Sequence, residues 1–254
     1  MHDWIVPDWQ VASHVRAICT TRSGGCSQGR YSSMNPASHV NDDVNSVNRN
    51  RALLQQKLGL LSPPHWLQQV QSTNIIDLDQ SNDSKADGST TTKTGTACVV
   101  MTADCLPVLL TDRKGRRIAA IHAGWRGLAD GILEAGVHHF SDNTEILAWL
   151  GPAIGPDNFE VGEEVVEQLS AETTGEEGDW YRNLPGSRKY LVDLYKLART
   201  RLQQAGVAEV TGGGYCTFSD EERFFSYRRQ GDCGRMATLI WLDHQDGDEQ
   251  TLPS

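Results

Sequence analysis

Residues 97–127, ACVVMTADCLPVLLTDRKGRRIAAIHAGWRG, contain two apolar runs on either side of a charged turn. Such runs are typical of buried β-strands joined in a hairpin. Each run also carries a residue that is unusual in a core strand: Cys105, with Asp104 beside it, in the first run, and His122 at the end of the second. A thiol, an imidazole and a carboxylate in one hairpin are typical of a reactive site. We therefore predict Cys105, His122 and Asp104 as catalytic residues.

The turn of this hairpin sets its register. If Arg113 and Lys114 occupy the two central turn positions, counting back along both strands places Cys105 opposite His122, with Cβ atoms about 4.5–5.5 Å apart. A G1 bulge at Gly115 would slip the register by one residue and leave the two side chains as near neighbours. The alternative is a buried structural thiol packed beside a hydrogen-bonded imidazole.

The composition is that of a globular, acidic chain. Its 254 residues fit one large domain, which we place at 1–242, followed by a polar acidic tail at 243–254. A second acidic segment, 171–179, is interpreted as a solvated loop. The net charge of −10 gives no electrostatic support to nucleic-acid binding. Because the N-terminus lacks a signal-peptide pattern and Asp104 interrupts the longest apolar run, we expect a cytoplasmic protein without membrane association, whose six cysteines are reduced.

Periodicity and turn residues predict a mixture of strands and helices. Besides the hairpin, strands are predicted at residues 15–21, 65–70, 74–78, 145–150, 209–215, 224–228 and 236–242, and a polar loop at 82–95. Helices are predicted at 44–58 after a cap at Asp42 or Asp43, from 127 to about 140, at 163–169, and from Asp193 to Gly206. Because hairpins and helices are mixed without regular βαβ alternation, we predict an α+β fold with mixed β-sheets.

The residues of the hairpin allow two kinds of chemistry. The chain has no G-x-S-x-G, Walker A, G-x-G-x-x-G or H-E-x-x-H motif, so the common hydrolase, NTPase, dehydrogenase and zincin interpretations lose their usual support. In one scheme, His122 activates Cys105 as a thiolate nucleophile. In the other, both residues bind a zinc ion whose water is the nucleophile, and a third ligand must come from elsewhere in the chain.

Long segments of the chain closely resemble one protein family. They are TTRSGGCSQGRYSSMN, HVNDDVNSVNRNR, WLQQV, MTADCLPVLL, AAIHAGWRGLADGIL, AWLGPAIGPDNFEVGEEV and CTFSDEERFFSYRRQGDCGRMATLIWL. The family is YfiH/YlmD, also called laccase-domain or multicopper polyphenol oxidase proteins and related to the human protein FAMIN. The resemblance extends over about residues 5–242.

The resemblance implies a layered α/β/β/α fold and a zinc site made of a His, a Cys and a second His. It also implies purine nucleoside phosphorylase activity on adenosine, inosine, guanosine and 5′-methylthioadenosine, together with adenosine deaminase activity. By motif match the Cys is Cys105 and the second His is His122. The first His of the family motif Q-V-H-G is replaced by Gln71 in this chain. Because a neutral amide is a poorer zinc ligand than imidazole, we expect weak zinc binding.

The implied partners are small molecules, namely purine nucleosides and phosphate. Five polar residues are candidate substrate contacts: Arg22, Asn35, Arg126, Arg228 and Arg229. Arginine offers charge-assisted hydrogen bonds to phosphate, although each of these arginines would serve equally well in a structural ion pair. We expect a monomer or a weak homo-oligomer.

Two other functions compete with this interpretation. A cysteine-dependent hydrolase or amidase that edits peptidoglycan precursors would use Cys105 and His122 without a metal. A copper-dependent polyphenol oxidase would need a His₂Cys copper centre and further histidines, but the chain has only eight His, several of them far from the hairpin. Copper is therefore not expected.

Overall fold

The computed structural model describes residues 3–141, 144–171 and 180–243. The acidic segment predicted at 171–179 and the tail predicted at 243–254 fall almost entirely outside the described residues, and the domain boundary at 242 stays a prediction. The strands are β1 Val15–Cys19, β2 Ile75–Asp77, β3 Gly88–Thr91, β4 Ala97–Thr102, β5 Leu106–Asp112, β6 Ile118–Ala123, β7 Ile146–Leu150, β8 Glu160–Gly162, β9 Tyr181–Asn183, β10 Lys189–Val192, β11 Glu209–Gly212 and β12 Met236–Leu242. The helices are α1 Val44–Leu58, α2 Trp125–Ala129, α3 Ile132–Val137, α4 Glu163–Ser170, α5 Leu194–Gln204 and α6 Tyr227–Gln230.

Two large sheets carry the fold. The first has six strands in the order β11-β7-β5-β6-β3-β2, with parallel pairs at both ends and antiparallel pairs between them. The second has three antiparallel strands in the order β1-β12-β4. A small antiparallel sheet, β8-β10-β9, lies beside α4. The mixed sheets expected from the sequence are confirmed.

The alternation of side chains along the strands builds the layers. In β4, Cys98 and Val100 pack in the core between the two large sheets, whereas Val99 faces the other way and packs with Leu54 of α1. In β5, Leu109 enters that same inter-sheet core, while its neighbours on the strand pack against α2, α3 and α5. Because successive strand residues point to opposite faces, both faces of the two large sheets are packed. The order of layers is α/β/β/α, as expected.

The capping residues predicted for two helices are confirmed. The Asp43 carboxylate accepts a hydrogen bond from the backbone N–H of Ser46 at 2.8 Å, and α1 ends at Gly59, which has a φ of 65°. Asp193 accepts from the N–H of Lys196 at 3.0 Å at the start of α5. Both carboxylates satisfy N–H groups that have no partner inside the helix.

The register predicted for the central hairpin is wrong by two residues. His122 pairs with Pro107, and Cys105 lies in the connection just before β5. The physical reason is a longer turn than expected. The Asp112 carboxylate accepts from the backbone N–H of Arg116 at 2.8 Å, and Gly115 adopts a left-handed φ of 65°. The turn is therefore held by a side-chain hydrogen bond that strand periodicity does not reveal.

Several other predicted elements differ from the structure. Residues 65–70 form only one isolated bridge, between His65 and Cys98, and residues 224–228 contain a buried Phe pair and the start of α6 rather than a strand. The predicted loop at 82–95 contains the fully buried strand β3. The helix expected from 127 begins at Trp125 and is interrupted at Gly131, where φ is 90°. Strands β8, β9 and β10 were not expected.

Candidate active site

A pocket of about 450 Å³ opens where the end of β4, the connection to β5, the end of β6 and α6 meet. Its position explains why the conspicuous residues of the hairpin are near each other although they are not paired in the ladder. The lining residues are His39, Gln69, Gln71, Met101, Thr102, Ala103, Asp104, Cys105, His122, Ile154, Phe159, Tyr227, Arg228 and Arg235.

Cys105, His122 and Asp87 form a chain of hydrogen bonds at the floor of this pocket. The imidazole of His122 is hydrogen-bonded to the Cys105 thiol on one side and to the Asp87 carboxylate on the other, where Nδ1 and Oδ1 are 2.8 Å apart. An ionised carboxylate only accepts hydrogen bonds, so His122 Nδ1 carries a proton and donates it to Asp87. The ring is thereby fixed with Nε2 towards the thiol.

Asp87 also holds the turn at residues 70–72, which carries Gln71 of the pocket lining. Its carboxylate is fully buried and accepts from the backbone N–H groups of Val70, Gln71 and Ser72 at 3.1, 3.0 and 2.6 Å. The Ser72 hydroxyl donates to the same carboxylate at 2.9 Å. These bonds hold Gln71 at a φ of 60°, which few residues other than glycine adopt. One carboxylate therefore positions both His122 and Gln71.

The pKa values of the pair follow from these contacts. Burial alone raises the pKa of the Asp87 carboxyl, but the hydrogen bonds from His122 and Ser72 outweigh burial and lower it to about 2. Burial lowers the pKa of His122, but the negative charge of Cys105 and the hydrogen bond to Asp87 outweigh it and raise that pKa to about 9. At neutral pH this environment favours an ionised Asp87 and a protonated His122.

Gly124 lets Gln71 approach the thiol. A Cβ atom added at Gly124 would lie 3.2 Å from Gln71 Oε1 and 3.4 Å from Cys105 Sγ. The amide oxygen and the sulfur therefore face the same small volume, which is empty of side chain because residue 124 is a glycine. The φ of Gly124 is −68°, which any residue can adopt. Glycine is therefore needed at this position for the close approach of Gln71 and Cys105 and not for its backbone conformation.

The side chains of Cys105, His122 and Gln71 together do not fit a catalytic zinc site. Such a site has three protein ligands, usually imidazole, thiolate or carboxylate. Here Cys105 and His122 supply two, and the third position is the neutral amide of Gln71. Across residues 3–141, 144–171 and 180–243, no group of three His, Cys, Asp or Glu side chains is arranged to hold a metal. We therefore derive no step through zinc, and the expectation of weak binding stays a prediction.

Asp104 lines the pocket, but both of its carboxylate oxygens are engaged. Oδ1 accepts from the Thr217 hydroxyl at 2.6 Å, and Oδ2 accepts from the backbone N–H of Arg228 at 2.7 Å. The residue has a left-handed φ of 91°. Asp104 thus joins the connection that carries Cys105 to the loop before α6. This geometry suits a positioning residue, and a direct catalytic role for Asp104 stays a prediction.

Of the five predicted substrate contacts, the structure places only Arg228 in the pocket lining. Asn35 is fully buried, and its side chain bonds with the backbone of Ala37 and Arg235 and with Asp42. Arg22 lies over the ring of Phe225 and donates to backbone carbonyl groups. These two residues stabilise the loops near the pocket.

The remaining two arginines are also outside the lining. Arg126 is exposed and stacks on Trp125, with its guanidinium carbon 4.3 Å from the ring centroid. Arg229 donates to the carbonyl groups of Thr217, Phe218 and Phe224 and so braces the loop before α6. Sequence patterns do not distinguish such structural arginines from substrate contacts.

Sequence reasoning missed three residues of the site, Asp87, Arg235 and Thr102, whereas His39 lies in a polar loop that the sequence suggests could line a ligand site. Asp87 lies in a segment predicted as a polar loop, and Arg235 follows a Cys-Gly pair without any motif of its own. Thr102 comes from the end of a strand, and nothing in its local sequence indicates that it lines a pocket. Desolvation and the nearby charges of Arg235 and Arg51 hold the pKa of His39 below its ordinary value.

Fold and site together define a class: a layered α+β protein with a cation-rich, small-molecule pocket built around a Cys–His pair. Residues 16–243 match the family described as multi-copper polyphenol oxidoreductase laccase. The chain therefore belongs to this laccase-domain family, of which YfiH and YlmD are similar members.

Named relatives cover nearly the whole chain. A purine nucleoside phosphorylase of Pseudomonas aeruginosa is 48% identical over 244 residues, which are 95% of this chain and 99% of that protein. The purine nucleoside phosphorylase YfiH of Escherichia coli is 46% identical over 245 residues, covering 95% and 100% of the two chains.

Solved structures show the same fold. The Neisseria meningitidis protein NMB0706 superposes with a TM-score of 0.89 at 43% identity, covering 95% of this chain and 100% of that one. YlmD of Geobacillus stearothermophilus gives a TM-score of 0.84 at 30% identity, covering 91% and 93%. Within the described residues, the helices are too short or too polar to cross a membrane.

Proposed function

We propose that the chain is a purine nucleoside phosphorylase that acts on adenosine, inosine, guanosine and 5′-methylthioadenosine with inorganic phosphate as co-substrate. The names of its relatives support an enzyme of this kind. A volume of about 450 Å³ lies within the range of small-molecule pockets. The cationic lining suits a phosphate anion even though the chain as a whole carries a net charge of −10.

The reaction makes two demands on the pocket. A phosphate oxygen forms a bond to C1′ of the ribose while the C1′–N9 bond breaks, and the electron pair of that bond leaves with the purine. The pocket must therefore hold an anion beside a ribose that develops positive charge, and it must deliver a proton to the departing base. Neither demand requires a metal ion.

Each part of the pocket answers one of these demands. Arg228 supplies fixed positive charge for the phosphate. His122, with its pKa raised to about 9, carries a proton at neutral pH and is the proposed donor to the purine, with Cys105 beside it. Asp87 accepts the Nδ1 proton of His122 in a 2.8 Å hydrogen bond, so Nε2 is the ring atom that gives up its proton.

The observation that carries the proposal is that a buried His122–Cys105 pair lines the same pocket as two arginines, Arg228 and Arg235. The Asp87 carboxylate holds His122. Neither arginine has an acidic partner within 4.0 Å in the described part of the chain. The test is chromatographic analysis of adenosine and inosine reactions, with and without phosphate. Free adenine or hypoxanthine that forms only with phosphate supports the proposal. Equal release without phosphate contradicts it, and full activity of Cys105→Ala contradicts the assignment of the site.

We further propose that adenosine deamination, the second activity implied by the family resemblance, is the activity most impaired in this chain. Deamination requires a water to attack C6 of the purine, and a zinc-bound hydroxide is one established means of generating that nucleophile. Gln71 replaces an imidazole in the donor set and so weakens zinc binding. Conversion of adenosine to inosine should be slow relative to phosphorolysis. Stoichiometric zinc together with rapid deamination would contradict this part.

One observation favours a second candidate function, a cysteine-dependent hydrolase or amidase. The hydrogen bonds from Cys105 to His122 to Asp87 have the order nucleophile, base and orienting carboxylate. Covalent trapping of Cys105 by an electrophilic amide analogue, with hydrolysis of an amide substrate that chelators do not affect, would support it. Absence of trapping would exclude it. No specific observation favours the copper oxidase.

A further inference from the structure

The Thr102 hydroxyl is a buried polar group without a partner in the pocket lining. Thr102 is 1% exposed, and its Oγ1 has no hydrogen-bond partner among the described residues. Buried hydroxyl groups are almost always hydrogen-bonded, because desolvation without a partner is costly. Since Thr102 is one of the residues that line the pocket, we expect the missing partner of its hydroxyl to be a ligand.

Arg235 lines the same pocket as Thr102. Thr102 ends β4 and pairs with Met236, the first residue of β12, so Arg235 lies at the same end of the three-stranded sheet. Arg235 Nη1 donates to the carbonyl groups of Cys233 and Gly234 at 2.7 and 3.1 Å. Its Nε and Nη2 donate to no residue that the structure describes. Half of the guanidinium is therefore fixed, and the rest remains available to a ligand.

Arg228 contributes a second, similarly placed guanidinium. Its Nη1 donates to the carbonyl oxygen of Glu160 at 2.8 Å, and its carbon lies 5.4 Å from the centroid of the Phe159 ring. The carboxylate of the lining, Asp104, has both oxygens occupied and does not neutralise either arginine through an ion pair. A hydroxyl and two guanidinium groups in the lining of one pocket are donors of the kind that bind an oxyanion.

We propose that Thr102, Arg235 and Arg228 form the phosphate-binding subsite of the pocket, an assignment that rests on the proposed phosphorylase function. Asn35 acts through Arg235 as a positioning residue, because its Oδ1 accepts the backbone N–H of Arg235 at 3.1 Å while its amide donates to Asp42 at 2.9 Å. Residues 35–37 are buried, and this bond fixes the backbone of Arg235 from which the guanidinium extends. His39, shortly after these residues in the chain, borders the subsite.

Thr102→Val tests the subsite because it removes the hydroxyl and keeps the shape. The hydroxyl has no partner in the protein, so the thermal midpoint without phosphate should stay equal or rise. The KM for phosphate should increase about 3- to 10-fold, and Arg235→Gln should increase it about 10- to 100-fold, as expected for a neutral and a charge-assisted hydrogen bond. The KM for inosine should change less than about twofold, since the loss is confined to phosphate contacts.

Conservative and surface variants serve as controls. Thr102→Ser keeps the hydroxyl and should restore the phosphate KM. Thr200→Val, on α5, and Arg16→Gln, the exposed position of the otherwise buried strand β1, change the same residue types outside the pocket lining and should leave both KM values unchanged. If Thr102→Val raises the KM for inosine alone, Thr102 contacts the nucleoside and the assignment is wrong.

Inorganic phosphate alone separates this assignment from the proposed function. Phosphate should raise the thermal midpoint of the parent chain, and this increase should be reduced in Thr102→Val and abolished in Arg235→Gln. If that pattern holds but no phosphorolysis is found, the anion subsite stands and the proposed function fails. If both variants keep the parent's phosphate-induced increase and phosphate KM, the subsite is refuted. Should Thr102→Val fail to fold, Arg235→Gln decides between these outcomes.

Discussion

The substitution Asp87→Asn removes the charge that organises the candidate site. In the parent chain the fully buried carboxylate accepts from three consecutive backbone N–H groups at residues 70–72, from the Ser72 hydroxyl and from His122 Nδ1. An asparagine side chain of the same shape has one acceptor oxygen, and its NH₂ group would face N–H donors. At least one buried donor therefore loses its partner.

The magnitude of this loss follows from the contacts. Leaving a buried donor unpaired costs about 1–3 kcal/mol, and removing one partner of a buried ion pair costs about 3–5 kcal/mol. We expect the free energy of unfolding to fall by about 3–5 kcal/mol, which corresponds to a decrease in Tm of roughly 6–20 °C for a chain of this size. Loss of the fixed His122 tautomer should also lower kcat about 10²- to 10⁴-fold.

The assay combines calorimetry with phosphorolysis measured well below the Tm of the variant. Asp8→Asn, an exposed aspartate on the surface, is the matched control and should behave as the parent chain. If Asp87→Asn unfolds within about 1 °C of the parent and keeps its kcat, the carboxylate is not the organising group and our account of the site is wrong.

Three further perturbations address the metal, the charge and the packing of the site. Gln71→His supplies the missing imidazole at a left-handed position that His tolerates, so the purified variant should contain stoichiometric zinc where the parent does not; equal zinc by metal analysis would contradict this. Because the pKa of His122 is raised to about 9, its contribution to stability is complete below about pH 6.5 and is lost as the pH rises through about 9. The fall in Tm from pH 7 to 10 should therefore be smaller in His122→Asn than in the parent chain. An equal fall in Tm in both chains would refute the raised pKa. Gly124→Ala places a Cβ 3.2 Å from the Gln71 amide oxygen and should lower kcat about 3- to 10-fold while Tm changes by less than about 3 °C, whereas an unchanged kcat would show that the close approach is not needed.

Many strands and helices of the fold were predictable from the sequence because they depend on local patterns, whereas the α/β/β/α layering was implied by the family resemblance. The apolar runs that form β4 and β5, and the capping carboxylates at Asp43 and Asp193, are visible in the chain itself. The strand β3 was not predictable, because its polar sequence Gly-Ser-Thr-Thr is buried by tertiary contacts such as the bond from Thr90 Oγ1 to the carbonyl of Ile118. The hairpin register depended on one side-chain hydrogen bond in its turn.

The candidate site was predictable in part for the same reason. Cys105 and His122 stand out because a thiol and an imidazole are rare in apolar runs, and the structure places both in one pocket. Asp87, Thr102 and Arg235 have no local signal, because they come together only when three separate segments meet. Arginines are poor guides in sequence, since guanidinium groups brace loops as readily as they bind anions.

The most direct test of the central claim is to follow inorganic phosphate and inosine together by ³¹P and ¹H NMR in the presence of the purified chain and a chelator. Our account predicts that inorganic phosphate is converted to a ribose 1-phosphate at the same rate as hypoxanthine appears. In Cys105→Ala and Asp87→Asn, the ribose 1-phosphate and hypoxanthine signals should be lost together. Hypoxanthine that accumulates with free ribose, without consumption of phosphate, would contradict it.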